Sequence, residues 1–130
     1  MKVVRSLLLA AAFVTPAFAP AVVHAATPAV SFRAIEYGYA DSDRVVQARA
    51  ALGGAIPAGT PLTAAEAVLS DAGAVCRPSR KQPDTVRCLY HQMSAADESF
   101  DDIRWTTRLH VAGNTVSDLT VDRTVDRHGN

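Results

Sequence analysis

The spacing of apolar residues changes several times along the chain, and each change marks an element. From Leu7 to Val14 the residues are apolar without interruption. Over 26–40, a short alternation at Val30, Phe32 and Ala34 beside Pro28 predicts an extended lead-in. From Asp41 the period becomes helical: Val45, Ala48 and Leu52 stand at i, i+3 and i+7, Asp41 or Ser42 can cap the start, and Gly53-Gly54 is expected to stop it. A loop with Pro57, Gly59 and Pro61 leads into a second helix. There Thr63 and Glu66 have the spacing of a capping box, and Leu62 is placed to staple to Ala67. Ala65, Val68, Leu69 and Ala72 form its apolar face, and Gly73 suits the left-handed position that ends a helix.

Beyond Gly73 the period becomes two, which predicts strands. Ala74 to Arg77 and Val86 to His91 read as a hairpin around Pro78, Lys81 and Pro83. If Cys76 faces Cys88, Ala74 falls opposite Tyr90, so the disulfide and the apolar pattern require the same register. Trp105 to Val111 and Val116 to Arg123 form a second pair. A three-residue turn at Gly113 to Thr115 sets Leu109 opposite Leu119 and Thr107 opposite Val121, apolar against apolar. The acidic stretch with Asp97, Glu98, Asp101 and Asp102 reads as a solvated connector, and 124–130 as a frayed tail. The fold class that follows is α+β: a single domain over 41–123, with two short helices packed on one face of a four-stranded, mainly antiparallel sheet.

The first residues place this domain outside the cytoplasm. Lys2 and Arg5, the apolar run and the small residues up to Ala25 have the layout of an export signal over 1–25, with cleavage expected after Ala25. The run is shorter than the ~20 residues that span a bilayer, so the mature chain is expected to carry no transmembrane segment. Cleavage leaves 105 of the 130 residues, enough for one domain. In a periplasmic or secreted location Cys76 and Cys88 are expected to form a disulfide. Of 13 Lys and Arg, Lys2 and Arg5 leave with the signal, so 11 oppose 13 Asp and Glu. That balance argues against a nucleic-acid partner, which would need a basic excess.

The candidate chemistry lies on the face of the sheet away from the helices. Arg87 and His91 fall there on one strand, Arg104, Arg108 and His110 on the next, and Asp118 with Asp122 on the last. His110 is expected to face Asp118, with Arg108 diagonal to both Asp118 and Asp122. Cross-strand charge pairing on a solvated face accounts for such a set; a binding surface for a partner protein or an anionic envelope polymer is the functional reading. Tyr37 and Tyr39, flanking Gly38, are further contact candidates. His91 and His110 together could supply the acid and base of a small secreted hydrolase acting on phosphodiesters. The chain has no phosphate-binding glycine loop and no Gly-x-Ser-x-Gly, and its acidic stretch lacks the pattern of a calcium hand. No catalytic residue, cofactor or metal site is therefore assigned.

The order of elements carries a family resemblance. Gly59-Thr60 precedes a helix ending at Leu69 to Gly73, then come a hairpin, Trp105 on a strand, and the run from Leu109 to Val116. This resembles the BamE-like (SmpA/OmlA) envelope domain and the related β-lactamase-inhibitor-protein fold over roughly Asp41 to Arg123. The resemblance implies two helices against an antiparallel sheet and a function of binding other proteins. The chain departs from the BamE pattern in lacking a lipid-attachment cysteine near the cleavage site. The expectation is a small exported, non-enzymatic protein that binds an envelope or secreted protein through its polar sheet face.

Overall fold

A computed structural model describes residues 19–21 and 29–129. The expected export signal lies almost wholly outside the described residues. Three helices, α1 (Phe32–Gly38), α2 (Asp41–Ala55) and α3 (Leu62–Asp71), precede four strands, β1 (Val75–Pro78), β2 (Thr85–Ala96), β3 (Ser99–Ala112) and β4 (Thr115–His128). The strands form one antiparallel sheet in the order β1-β2-β3-β4. Strand burial alternates, and the inward set (Val86, Cys88, Ile103, Trp105, Leu109 and Val121) forms one apolar cluster with Phe32 and Ile35 of α1, Ala48 and Leu52 of α2, and Ala65 and Leu69 of α3.

The helical half corrects the sequence reading in three places. The extended lead-in expected over 26–40 contains α1, so the helices number three among the described residues. Ser31 caps α1 by accepting from the Ala34 N–H at 3.2 Å, and Phe32, Ile35 and Glu36 are its buried positions. That is helical spacing, which the alternation at Val30, Phe32 and Ala34 concealed. Secondly, α2 runs through Gly53-Gly54: Ile56, buried in the core, donates back to the Leu52 carbonyl at 2.7 Å. That anchorage offsets two helical glycines at about 1 kcal/mol each, and Pro57 ends the run. Thirdly, Thr63 is not the cap of α3. The helix begins at Leu62 after Pro61, without a side-chain cap. The Asn114 carbonyl accepts the Leu62 N–H at 2.9 Å and the Pro61 carbonyl accepts that of Ala65 at 3.0 Å. Gly73 does end α3 at φ 102°, with the Tyr90 ring against it.

In the sheet the expected registers hold: Cys76 faces Cys88, Leu109 faces Leu119, Thr107 faces Val121 and His110 faces Asp118. The cysteines form a disulfide. The turn that sets the second pair is different from the one expected. Ala112 pairs with Thr115 across a two-residue turn, and a register shift next to His110 takes up the odd residue. That residue is Ser117, whose hydroxyl donates to the His110 carbonyl at 3.1 Å.

The acidic connector is a further correction. β2 and β3 continue to a tight turn at Asp97, where φ is 51°. The tail expected to fray is also paired, with His128 opposite Phe100 and their rings stacked at 4.8 Å. Beyond the reach of β1 the strands thus form a three-stranded arm. Past Ile103, which is still buried, its positions alternate without a sealed apolar side, so the pattern of apolar residues could not reveal it.

Candidate functional site

The register arranges the outer face in rows across the sheet. Thr85, His110 and Asp118 form the row nearest the β3–β4 turn; Arg77, Arg87, Arg108 and Thr120 form the next; Val75, Leu89, Thr106 and Asp122 the one after. His91, Arg104 and Thr124 follow, then Met93, Asp102 and Asp126. Arg87, His91, Arg104, Arg108, His110 and Asp118 therefore share one face. Tyr37 does not join them. Its hydroxyl accepts from the Gln92 amide at 3.1 Å, and Gln92 alternates with the outward residues of β2. Tyr39 follows α1, its carbonyl accepting from Arg44 Nε at 3.0 Å.

Along this face the charges separate into a neutralised part and an unneutralised one. Arg104 donates to Asp102 at 2.7 Å and lies 3.7 Å from Asp126. His91 contacts the other oxygen of Asp102. Arg108 pairs with Asp122 at 2.5 Å, selecting it over Asp118. The hydrogen bond from Arg104, helped by that from His91, holds the Asp102 carboxyl below the usual aspartate value of 3.8 despite partial desolvation. A depressed folded-state value stabilises the fold above about pH 3.8, and that contribution is lost as pH falls through the lower, folded value. Carbon-detected NMR titration should find Asp102 titrating below 3.8, and Arg104→Ala should move it back upward. A value unmoved by Arg104→Ala would show that this guanidinium is not its partner.

The unneutralised part lies at the β1–β2 end. Arg77 is directly opposite Arg87, and Arg87 is opposite Arg108. Arg80 and Lys81 stand at the end of the same hairpin, and together with Arg77 and Arg87 they rim a groove of about 430 Å³ floored by Val75 and Leu89. No carboxylate lines it. Among the described residues, none of these four cations has an acidic partner within salt-bridge distance. Like charges directly opposite on a sheet are destabilising, by up to about 1 kcal/mol a pair. The sequence reading named Arg87 and Arg108 but passed over Arg77. The Cys76–Cys88 pairing supplies the clue, since it places Arg77 beside Arg87.

The histidine pair is taken apart by the same register. His110 faces Thr85 on β2, six residues from His91, so the two lie about 20 Å apart along the strands. They cannot act as acid and base on one bond. Among the described residues no group of three or more His, Cys, Asp or Glu is arranged to hold a metal ion, and no helix is long and apolar enough to cross a membrane. Comparison of the chain with protein-family models, curated proteins and solved structures gave no match.

Proposed function

We propose that the mature chain is an exported, non-enzymatic binding module. It engages an acidic segment of an envelope or secreted protein through the β1–β2 end of its outer sheet face. One observation carries this reading: four cations without acidic partners surround a groove with an exposed apolar floor, where the fold would gain stability by losing at least one of them. Val75 is 59% and Leu89 39% exposed, so an apolar residue of the partner can dock between flanking carboxylates. Acids flank the patch along the face, with Asp118 one row before Arg87, Asp122 in the row of Leu89, and Asp102 with Asp126 two rows beyond it. A nucleic-acid backbone running along the face would meet them, whereas a short acidic segment would not. Helices buried against the opposite side of the sheet leave this face free. A protein-binding role is also what the BamE-like resemblance implies, and the disulfide and the N-terminal layout are compatible with export.

The test is crosslinking capture from the host envelope with the mature protein and with an Arg77→Ser, Lys81→Ser, Arg87→Ser variant. The variant should bind roughly 10- to 100-fold more weakly, the wild-type complex should weaken with salt, and the variant should melt no lower than wild type. Intact mass of the exported protein should place its N-terminus at Ala26. Failure to enrich any partner, or a variant that retains every partner, would overturn the reading.

A further inference from the structure

The two edges of the sheet are protected unequally. Along β4, the loop before α3 pairs with the start of the strand: Gly59 donates to the Val116 carbonyl at 2.8 Å and Val116 to that of Thr60 at 2.8 Å. Arg49 covers the Val121 carbonyl at 3.2 Å. The rest of that edge is crowded with charge, from Asp122 and Arg123 to Asp126 and Arg127. These are the devices that keep sheet edges from pairing. On the opposite side, β1 covers β2 only as far as Leu89, which faces Val75.

Among the described residues, no strand lies on the outer side of β2 from Tyr90 to Ala96. The direction of its peptide groups follows from the bonds nearer its start. The Thr85 carbonyl accepts from Ser79 at 2.9 Å, and the Asp84 carbonyl accepts from Val111 of β3 at 2.8 Å. Odd-numbered residues of β2 therefore turn their N–H and C=O toward the β1 side and even-numbered ones toward β3. Past Leu89, His91, Met93 and Ala95 aim theirs out of the sheet. The segment His91-Gln92-Met93-Ser94-Ala95-Ala96 contains no proline, glycine, lysine, arginine or carboxylate.

We propose that this edge pairs antiparallel with the same edge of a second copy of the chain, about a two-fold axis at Met93. Donors meet acceptors only if odd residues face odd residues, so Met93 faces its copy and His91 faces Ala95 of the other chain. The gap fits this register. Residue 96 falls opposite residue 90, one short of Leu89, where the other copy's β1 begins, and one short of the turn at Asp97. A two-residue slip one way drives the strand into β1; the other way brings the turn into the pairing and loses bonds.

The side chains are also self-complementary. No like charges oppose, because the one ionisable residue, His91, faces Ala95. Met93, 61% exposed, meets Met93 on one side of the seam. On the other side Gln92 meets Ser94, with Tyr37, 69% exposed, beside them. The result is one eight-stranded antiparallel sheet. A seam this short belongs at the small end of specific interfaces, below ~1,200 Å², so the dimer is weak and concentration-dependent. It uses neither the arginine row nor the groove.

Sedimentation velocity of the mature chain over a concentration series tests this, with amide hydrogen exchange at both ends of the series. Wild type should pass from monomer to dimer, with the His91, Met93 and Ala95 amides gaining protection and those of Gln92 and Ser94, bonded to β3, protected throughout. Met93→Lys sets two ammonium groups against each other at the axis and should raise the midpoint roughly tenfold or more. Met93→Pro should act likewise, since the N–H it removes points away from β3 and the ladder survives. Monomer at every concentration would overturn the proposal. So would a dimer indifferent to both substitutions, or protection gained elsewhere than at His91, Met93 and Ala95.

Discussion

Arg123→Ala is expected to cost about 3 to 5 kcal/mol of stability, the range for leaving a buried charge without its partner. Glu36 is 4% exposed. Arg123 holds its two oxygens through Nε at 2.6 Å and Nη2 at 3.0 Å. Trp105 Nε1 donates to Glu36 at 2.7 Å, and Arg44 adds a cation at 3.2 Å. Arg123 also reaches Asp41 at 2.8 Å, tying α2 to β4. The cluster thereby locks α1 onto the sheet through the tryptophan at its centre. Removing Arg123 strands the carboxylate, with only the partly exposed Arg44 to offset it. Removing both charges, Glu36→Gln with Arg123→Met, should restore part of the loss, because the charges are then removed together while the amide oxygen can still accept from Trp105 Nε1. Urea unfolding of the two variants decides the matter. A loss below about 1 kcal/mol for Arg123→Ala, typical of a surface pair, would show the cluster to be solvated.

That cluster also shows where the sequence was legible and where it was not. The strand registers could be read because each paired an apolar set with an apolar set, and Cys76 with Cys88 gave an independent check. Trp105 stood on the core face for the same reason. The alternation Leu119, Val121, Arg123 placed a charge at an inward position and so called for a buried acid. Glu36 could answer it only if 32–38 were a helix, and Ser31, Phe32 and Ile35 carry the cap and spacing for one. A weak two-residue alternation over the same residues hid that. The outer part of the arm beyond β1 escaped for a different reason: past Ile103 both of its faces meet water, so no period separates inside from outside. Of the proposed site, Arg87 and Arg108 were found as outward-facing residues, whereas Arg77, Arg80 and Lys81 became part of it only once β1 and its hairpin had a position.

Removing the disulfide, as Cys76→Ala with Cys88→Ala, is expected to destabilise the protein by about 3 kcal/mol, from the entropy of a closed loop of about a dozen residues. The loss should depend on salt, for a reason particular to this sheet. β1 has four residues, pairs with β2 alone in the sheet, and carries Arg77 directly against Arg87. The covalent bond at the adjacent position keeps those guanidinium groups together whatever their repulsion. Without it, repulsion favours detachment of β1, and screening at about 0.5 M salt should recover part of the stability seen at low salt. Adding Arg77→Ser should recover a similar part and abolish the salt response. Detachment of β1 would also separate Val75 and Arg77 from Leu89 and Arg87, so the groove would exist only in the oxidised protein and partner capture should fail under reductant. A cysteine-free variant as stable as wild type, or one equally stable at both salt concentrations, would show that the bond does not restrain the arginine row. On the proposed function, the disulfide and the opposed arginines would act as a single device: a covalent clamp that holds a repulsive cationic groove in place.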